Sequence, residues 1–230
     1  MKSWCLEVWG NYACFTRPEM KVERVSYDVM TPSAARAIFD AILWKPAISW
    51  QITKIEVLNP IRWISVRRNE VGKTAGTSSQ IYIEDDRQQR AGLFLKDVKY
   101  RIHAWFEFIP PEKRKQINIY GSYWADSDEK NQHERGDETE AKYAAMFERR
   151  AKKGQCFHRP YLGCREFACY YHLIDKSVPL EKKINPDDDL GWMLYDINYD
   201  DPANPKPEFF KARLENNTVN TDRRNLEVRS

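Results

Sequence analysis

The sequence of 230 residues predicts an α+β fold. The expected order is strand, helix, strand, strand, helix, strand, followed by a small C-terminal antiparallel β-sheet. Three observations lead there. A strict two-residue alternation runs from Lys96 to Phe108, helical periodicity starts at Thr31-Pro32 and again near Thr139, and an Asn216-Asn217 turn signal interrupts an alternating stretch near the end. With 42% hydrophobic residues the chain can bury a sizeable core, which excludes wholesale disorder.

Taken in order, Trp4 to Trp9 reads as a short strand of large residues, stopped by Gly10-Asn11. Residues 16–30 lack a period and read as a loop carrying Arg17, Lys21 and Arg24. Thr31 is an N-cap with Pro32 at the first helical position, and Ala34, Ile38, Ala41 and Ile42 recur at helical spacing. That helix runs to about Trp44, because Pro46 restricts the residue before it. Ile48 to Leu58 is a strand with Ile48, Trp50 and Ile52 on one face. Arg62 to Arg68 is a further strand, and Asn69 to Gln80 is the tip of a mobile hairpin. Residues 60–95 are accordingly an insertion into the framework.

Lys96 to Phe108 is the clearest strand. Val98, Tyr100, Ile102, Ala104, Phe106 and Phe108 form one face, and Lys99, Arg101, His103, Trp105 and Glu107 the other. Asp126 to Glu140 carries seven acids against two basic residues and reads as a solvated loop. A second helix starts near Asp137 or Thr139 and ends before Gly154. Tyr161 to Leu173 alternates and reads as one long strand. The acidic Pro186 to Pro202 segment surrounds an apolar stretch, Trp192 to Ile197, and Phe209 to Val219 completes a terminal sheet. The framework order is that of ferredoxin-like folds, on which RNA-recognition (RRM-like) modules are also built. The expected division is a ferredoxin-like domain over 1–174 and a small β-sheet domain over 175–230.

The formal net charge is only +3, but it is unevenly spread. Lys142 to Arg165 holds seven basic residues and one acid, directly after the acidic stretch. Lys142, Arg149 and Lys153 fall at i, i+7 and i+11 and share one helix face, with Arg150 and Lys152 beside it. Interleaved aromatics, Tyr143, Phe157, His158 and Tyr161, suit stacking on unpaired bases, while Lys and Arg hold phosphates. A solvated helix face above core aromatics accounts for the same pattern. The five Cys show no CxxC pair and the four His no metal-ligand spacing, so free thiols and no metal or cofactor are expected. Walker, GxGxxG, GxSxG and HExxH signatures are absent. No apolar run reaches the length of a membrane span and the first residues lack a signal-peptide core, which points to the cytoplasm.

RNA permits a reaction that needs no metal. Its 2′-hydroxyl attacks the adjacent phosphate and expels the 5′-oxygen, provided that the strand is held in line, protons are moved and the phosphorane charge is offset. A Lys supplies the charge and a Tyr or His the proton transfer.

Four segments carry a family resemblance: Trp44-Lys45-Pro46, Phe106-Glu107-Phe108, Leu162-Gly163-Cys164-Arg165-Glu166-Phe167, and Phe209-Phe210-Lys211-Ala212-Arg213-Leu214. In order and spacing the chain resembles the CRISPR-associated family-five proteins of the Dvulg subtype, found in type I-C systems. The resemblance spans Val8 to about Val219. It implies a metal-independent endoribonuclease that cuts precursor CRISPR RNA at the 3′ base of each repeat hairpin. It further implies that the protein stays on the 5′ handle beside the other subunits of the surveillance complex. The family's catalytic group is a Tyr next to the WKP segment, a Lys, and a His after that Lys. Here Lys142 falls on the Lys position, Tyr143 takes the place of the His, and Leu43 stands where the first Tyr is expected. Lys142 and Tyr143 are thus the catalytic candidates. Lys45, Arg149, Arg150, Lys153, Arg17, Lys21 and Arg24 are the RNA-binding candidates. The alternative reading is a non-catalytic subunit that holds the RNA handle, with weak nonspecific duplex DNA binding by the same basic surface.

Overall fold

Alternating large residues carry the first strand, β1 (Trp4–Ala13), straight past the Gly10-Asn11 pair that the sequence suggests as its end. Gly10 stays in the ladder opposite Val98. It is a glycine because another segment crosses there: a Cβ would lie 2.6 Å from Leu162 Cδ1 and 2.8 Å from the Ala168 carbonyl. The structure is a computed structural model describing residues 2–20, 22–73, 76, 80–110, 113, 138–179, 183–199, 201 and 203–230. Lys21 and the acidic stretch from 126 to 137 lie outside the described residues.

Helix α1 (Pro32–Ile42) starts as expected, with Thr31 Oγ1 accepting the Ala34 N–H at 3.3 Å. Strand β2 (Ile48–Val57) contains an irregularity that the sequence does not announce: the pairing register shifts between Ile52 and Lys54. Strict alternation would turn Lys54 and Glu56 toward the core. The extra residue, Thr53, returns Ile55 and Val57 to it instead.

β3 (Trp63–Val71) pairs with the first half of β4 (Arg87–Phe108), so the expected insertion is a hairpin whose return strand continues without a break into the framework. Within β4, Asp97 has a φ of +53° and lies just past the half paired with β3. Helix α2 (Glu140–Lys152) has Thr139 as N-cap and Gly154 just beyond its end at φ +64°.

The long strand expected over Tyr161–Leu173 is instead a tight loop followed by a short strand, β5 (Tyr170–Ile174). Gly163 causes the difference. Its φ is +82°, and a Cβ there would meet the Cys14 carbonyl oxygen at 2.0 Å. The turn is closed by Leu162 N–H on the Phe167 carbonyl and Phe167 N–H on the Cys164 carbonyl, and it docks on β1 through Cys14 N–H to Leu162 O, 3.1 Å. Glu166 then receives both Arg24 and Arg68, tying the turn to the hairpin.

Among the described residues the main sheet runs β5-β1-β4-β2-β8, antiparallel throughout, with β3 on the far half of β4. A second sheet holds β6 (Asp188–Asn198), β7 (Lys206–Leu214) and β9 (Val228–Arg229). The expected Asn216-Asn217 turn is present, with positive φ at both residues. The strand after it, β8 (Thr218–Asn220), does not stay in the terminal sheet. It pairs with β2 over Lys54–Glu56.

Helices α1 and α2 lie on one face of the main sheet. Phe39 of α1 and Phe147 of α2 pack at ring-centroid distances of 4.8 and 4.6 Å on Trp50, and Trp4 stacks on Phe106 at 5.2 Å. Such contacts contribute roughly 0.5–1.5 kcal/mol each beyond area burial. Met193, Tyr195 and Phe210 of the second sheet belong to the same buried cluster. No helix among the described residues is long and apolar enough to cross a membrane.

Candidate nucleic-acid interface

The face of α2 that carries the cations follows from where its apolar residues point. Tyr143, Ala144, Phe147 and Ala151 are buried. Phe147 is five positions from Lys142, so the buried face lies about 140° round the helix from it. Arg149 and Lys153 share the Lys142 direction and are exposed, while Lys142 is half-buried in the first turn. Thr139 Oγ1 accepts the Lys142 backbone N–H at 3.2 Å and fixes that turn.

Tyr143 lies differently from its neighbour. It is 3% exposed, its ring sits 6.2 Å from Phe108, and its hydroxyl donates to Glu138. Sequence reading placed Glu138 in a solvated acidic loop. Periodicity defines a helix face but carries no signal for a partner just ahead of the N-cap.

The Trp44-Lys45-Pro46 segment joins α1 to β2 alongside this helix. Arg150 Nη1 donates to the Ile42 carbonyl at 3.0 Å, which closes the end of α1, so Arg150 is a brace between the helices. Leu43 is fully buried, with its carbonyl accepting Trp50 Nε1–H at 3.0 Å. Trp44 is exposed and Lys45 half-buried. Ile109 N–H bonds the Ala47 carbonyl at 2.8 Å, and Phe108 pairs with Ile48 in the ladder. Lys45 and the Phe108–Tyr143 contact therefore share one end of the sheet.

Arg17 and Arg24 are engaged elsewhere. Arg17 pairs with Asp28 at 3.2 Å and lies over the Tyr27 ring, and Arg24 pairs with Glu166 at 2.9 Å at the foot of the hairpin. The structure thus gathers Lys142, Arg149, Arg150, Lys153 and Lys45 around α2 and leaves Arg17 and Arg24 in structural ion pairs.

On the opposite face of the sheet, Arg101 and His103 are covered by the segment after β5 and by their own partners. Arg101 donates to the Val178 and Pro179 carbonyls, and His103 Nε2 lies 3.1 Å from Glu56 Oε1. Burial raises the Glu56 carboxyl, but the hydrogen bonds from His103 and Lys54 outweigh it and bring its pKa down to about 2. Burial pushes the neighbouring Cys5 thiol up to about 12, so it stays protonated. Among the described residues no group of three or more His, Cys, Asp or Glu is placed to hold a metal ion.

A family model described as CRISPR-associated protein (Cas5), of the Cas5d type, matches residues 4–222. The chain belongs to the Cas5d family. Among Cas5d relatives, the CRISPR pre-crRNA endoribonuclease Cas5d of Mannheimia succiniciproducens is 47% identical, over 93% of this chain and 92% of that protein. The enzyme of the same name from Thermus thermophilus is 42% identical, over 89% of this chain and 77% of its own length. Solved structures agree in fold: one described as a CRISPR-associated protein superposes with a TM-score of 0.68 at 24% identity, covering 100% of this chain and 97% of that one. A functionally uncharacterized protein of Streptococcus mutans superposes at 0.65 and 22% identity with the same coverage. The family expected from the four sequence segments is therefore the family found, and the relatives' names agree with the endoribonuclease expected from it. In this chain the Leu162–Phe167 segment has a structural meaning: Gly163 makes the crossing over Cys14, and Glu166 clamps two arginines.

Proposed function

We propose that the chain is a metal-independent endoribonuclease that cleaves precursor CRISPR RNA at the 3′ base of the repeat hairpin. It then remains in the cytoplasm on the 5′ handle of the product, beside the other subunits of a type I-C surveillance complex. The observation that carries this reading is the cationic face of α2, with Arg149 and Lys153 exposed and Lys142 half-buried in the first turn, beside the Lys45 segment in a Cas5d-family chain. The framework is ferredoxin-like on this reading: its strands lie in the order fourth, first, third, second, with both helices on one face. Residues 1–174 form the RNA-processing domain and 175–230 the smaller unit packed on it.

Arg149, Lys153 and Lys45 hold the backbone, with Arg150 keeping the helices in register. Lys142 reaches the scissile phosphate and offsets charge on the phosphorane oxygens as the 2′-oxygen attacks and the 5′-oxygen leaves. Tyr143 gives its hydroxyl proton to the departing 5′-oxygen and regains one from Glu138, to which it is hydrogen-bonded. With a reference pKa near ~10 a Tyr is a donor at neutral pH rather than a base, so Glu138 is the group suited to accept the 2′-proton.

The test is a single-turnover incubation of one labelled repeat hairpin with excess protein and a chelator. Wild type cuts in EDTA, and Lys142→Ala loses at least about a hundredfold in rate while binding the hairpin nearly as well. Cutting by Lys142→Ala at the wild-type rate removes Lys142 from the mechanism, and a cut that requires Mg²⁺ opposes the reaction as written. The second reading, a non-catalytic holder of the handle, is favoured by one observation: Leu43 and Tyr143 are both buried. It predicts no product under enzyme excess. Weak duplex DNA binding at low salt fits either reading, since phosphate contacts are blind to sequence.

A further inference from the structure

The face of the main sheet away from the helices carries an exposed aromatic pair that the proposed reaction does not use. Val8 of β1 and Tyr171 of β5 pair with each other and point toward the helices. Their neighbours, Trp9 and Tyr170, also pair in register and therefore point the other way. Their rings lie 6.0 Å apart at 22°, and they are 38% and 51% exposed. Large aromatic surface left open to water in register on a sheet calls for a ligand with a flat apolar face.

Two further observations identify the chemistry of that ligand. The first is charge. The cationic end of α2 continues through Phe157, which is 67% exposed, and His158 to Arg159. Phe157 N–H bonds the Ala41 carbonyl at 2.7 Å, so this segment starts on the helix layer. It ends with the Arg159 guanidinium 5.8 Å from the centre of the Tyr170 ring. β5 is the outer strand on this side, so the track rounds the edge of the sheet and connects its two faces. The second is a cavity of about 320 Å³ beside Trp9, lined by Glu7, Asn11, Asn59, Asp97 and Lys99. Lys99 pairs with Glu7 at 2.8 Å and Asn59 Nδ2 donates to the Asp97 carbonyl at 2.7 Å, and the further hydrogens and lone pairs of these groups offer both donors and acceptors, as the edge of a base requires.

We infer that Trp9 and Tyr170 form a stacking site for unpaired bases of the single-stranded RNA that flanks the hairpin. Arg159 holds a phosphate at the turn from the α2 face to this one. The inference rests on the RNA reading above and adds a second site to it, on the opposite face from Lys142. A base slides onto an aromatic ring whatever its identity, so the site grips flanking sequence with little preference.

The experiment compares two probes at one fixed salt concentration: a blunt repeat hairpin and the same hairpin with a short oligouridine flank. Wild type, Trp9→Ala, Tyr170→Ala, Tyr170→Phe and Arg159→Ala are titrated with each, and thermal melts confirm that each variant is folded. Each alanine at an aromatic position should weaken binding of the flanked hairpin by about tenfold and leave the blunt hairpin unchanged. Tyr170→Phe should retain the wild-type value, and Arg159→Ala should weaken only the flanked probe. Alanine variants that bind the flanked hairpin like wild type overturn the inference, and so does an equal loss on both probes. If wild type binds neither hairpin, the RNA reading itself fails and takes this site with it. If wild type binds both probes equally, only the second site fails.

Discussion

Gly163 shows how one residue can serve a whole turn. It has a left-handed φ and no room for a side chain beside the Cys14 carbonyl. Gly163→Ala combines backbone strain with a clash against main chain that cannot swing aside. A loss of at least about 2 kcal/mol is expected, seen as a fall in Tm of about 4–8 °C. Glu56 gives a pH signature instead. Its pKa falls from 4.5 to about 2 on folding, so its carboxylate adds stability above the unfolded value. That contribution, of order 3 kcal/mol, fades as pH drops from about 5 toward 2. Urea unfolding at steps through this window should show the decline in wild type and a flatter profile in Glu56→Gln. An equal slope in both assigns the acid sensitivity to other carboxylates.

On the proposed mechanism, helix α2 links stability to reaction. Thr139→Ala removes the side-chain cap on the Lys142 N–H, at a cost of about 1 kcal/mol. The first turn then frays where Lys142 sits, while the exposed Arg149 and Lys153 lie at the other end. Single-turnover cleavage should slow severalfold with hairpin affinity little changed. An unaltered rate would mean that Lys142 does not depend on an ordered first turn. Much at this scale was legible in the sequence. Both helix caps, Pro32, the C-terminal Gly154 and the alternation from Lys96 to Phe108 appear where local chemistry dictates them. What escaped is set by contacts distant in sequence. The bulge at Thr53 answers to pairing with β4, and the Tyr161–Leu173 alternation hides a turn whose Gly163 has no room for a Cβ beside the Cys14 carbonyl, just past β1. The site was read in the same way: the charge period of α2 identified its open face, whereas the burial of Tyr143, its bond to Glu138 and the pairing of Arg24 with Glu166 depend on the packed chain.

Across the whole molecule, cations of the same type have two different surroundings. Arg149 and Lys153 stand exposed, while Arg17 and Arg24 are held in ion pairs. Replacing Arg149 or Lys153 with Ala should lower the slope of log K against log salt for RNA binding by about 0.7 each. Arg24→Ala should leave that slope unchanged and lower Tm instead. A reduced slope in Arg24→Ala would return that residue to the interface.

The sheets also meet through β8, which leaves the terminal hairpin to complete the edge of β2. Thr221 N–H then bonds the carbonyl of Thr53, the bulged residue itself. A strand made early in synthesis is therefore finished by one made far later in the same chain. A nascent chain lacks that edge partner until residue 220 has emerged, and long-range pairing of this kind is slow to form. The edge of β2 thus stays open on a nascent chain while most of the sheet beside it has already been made.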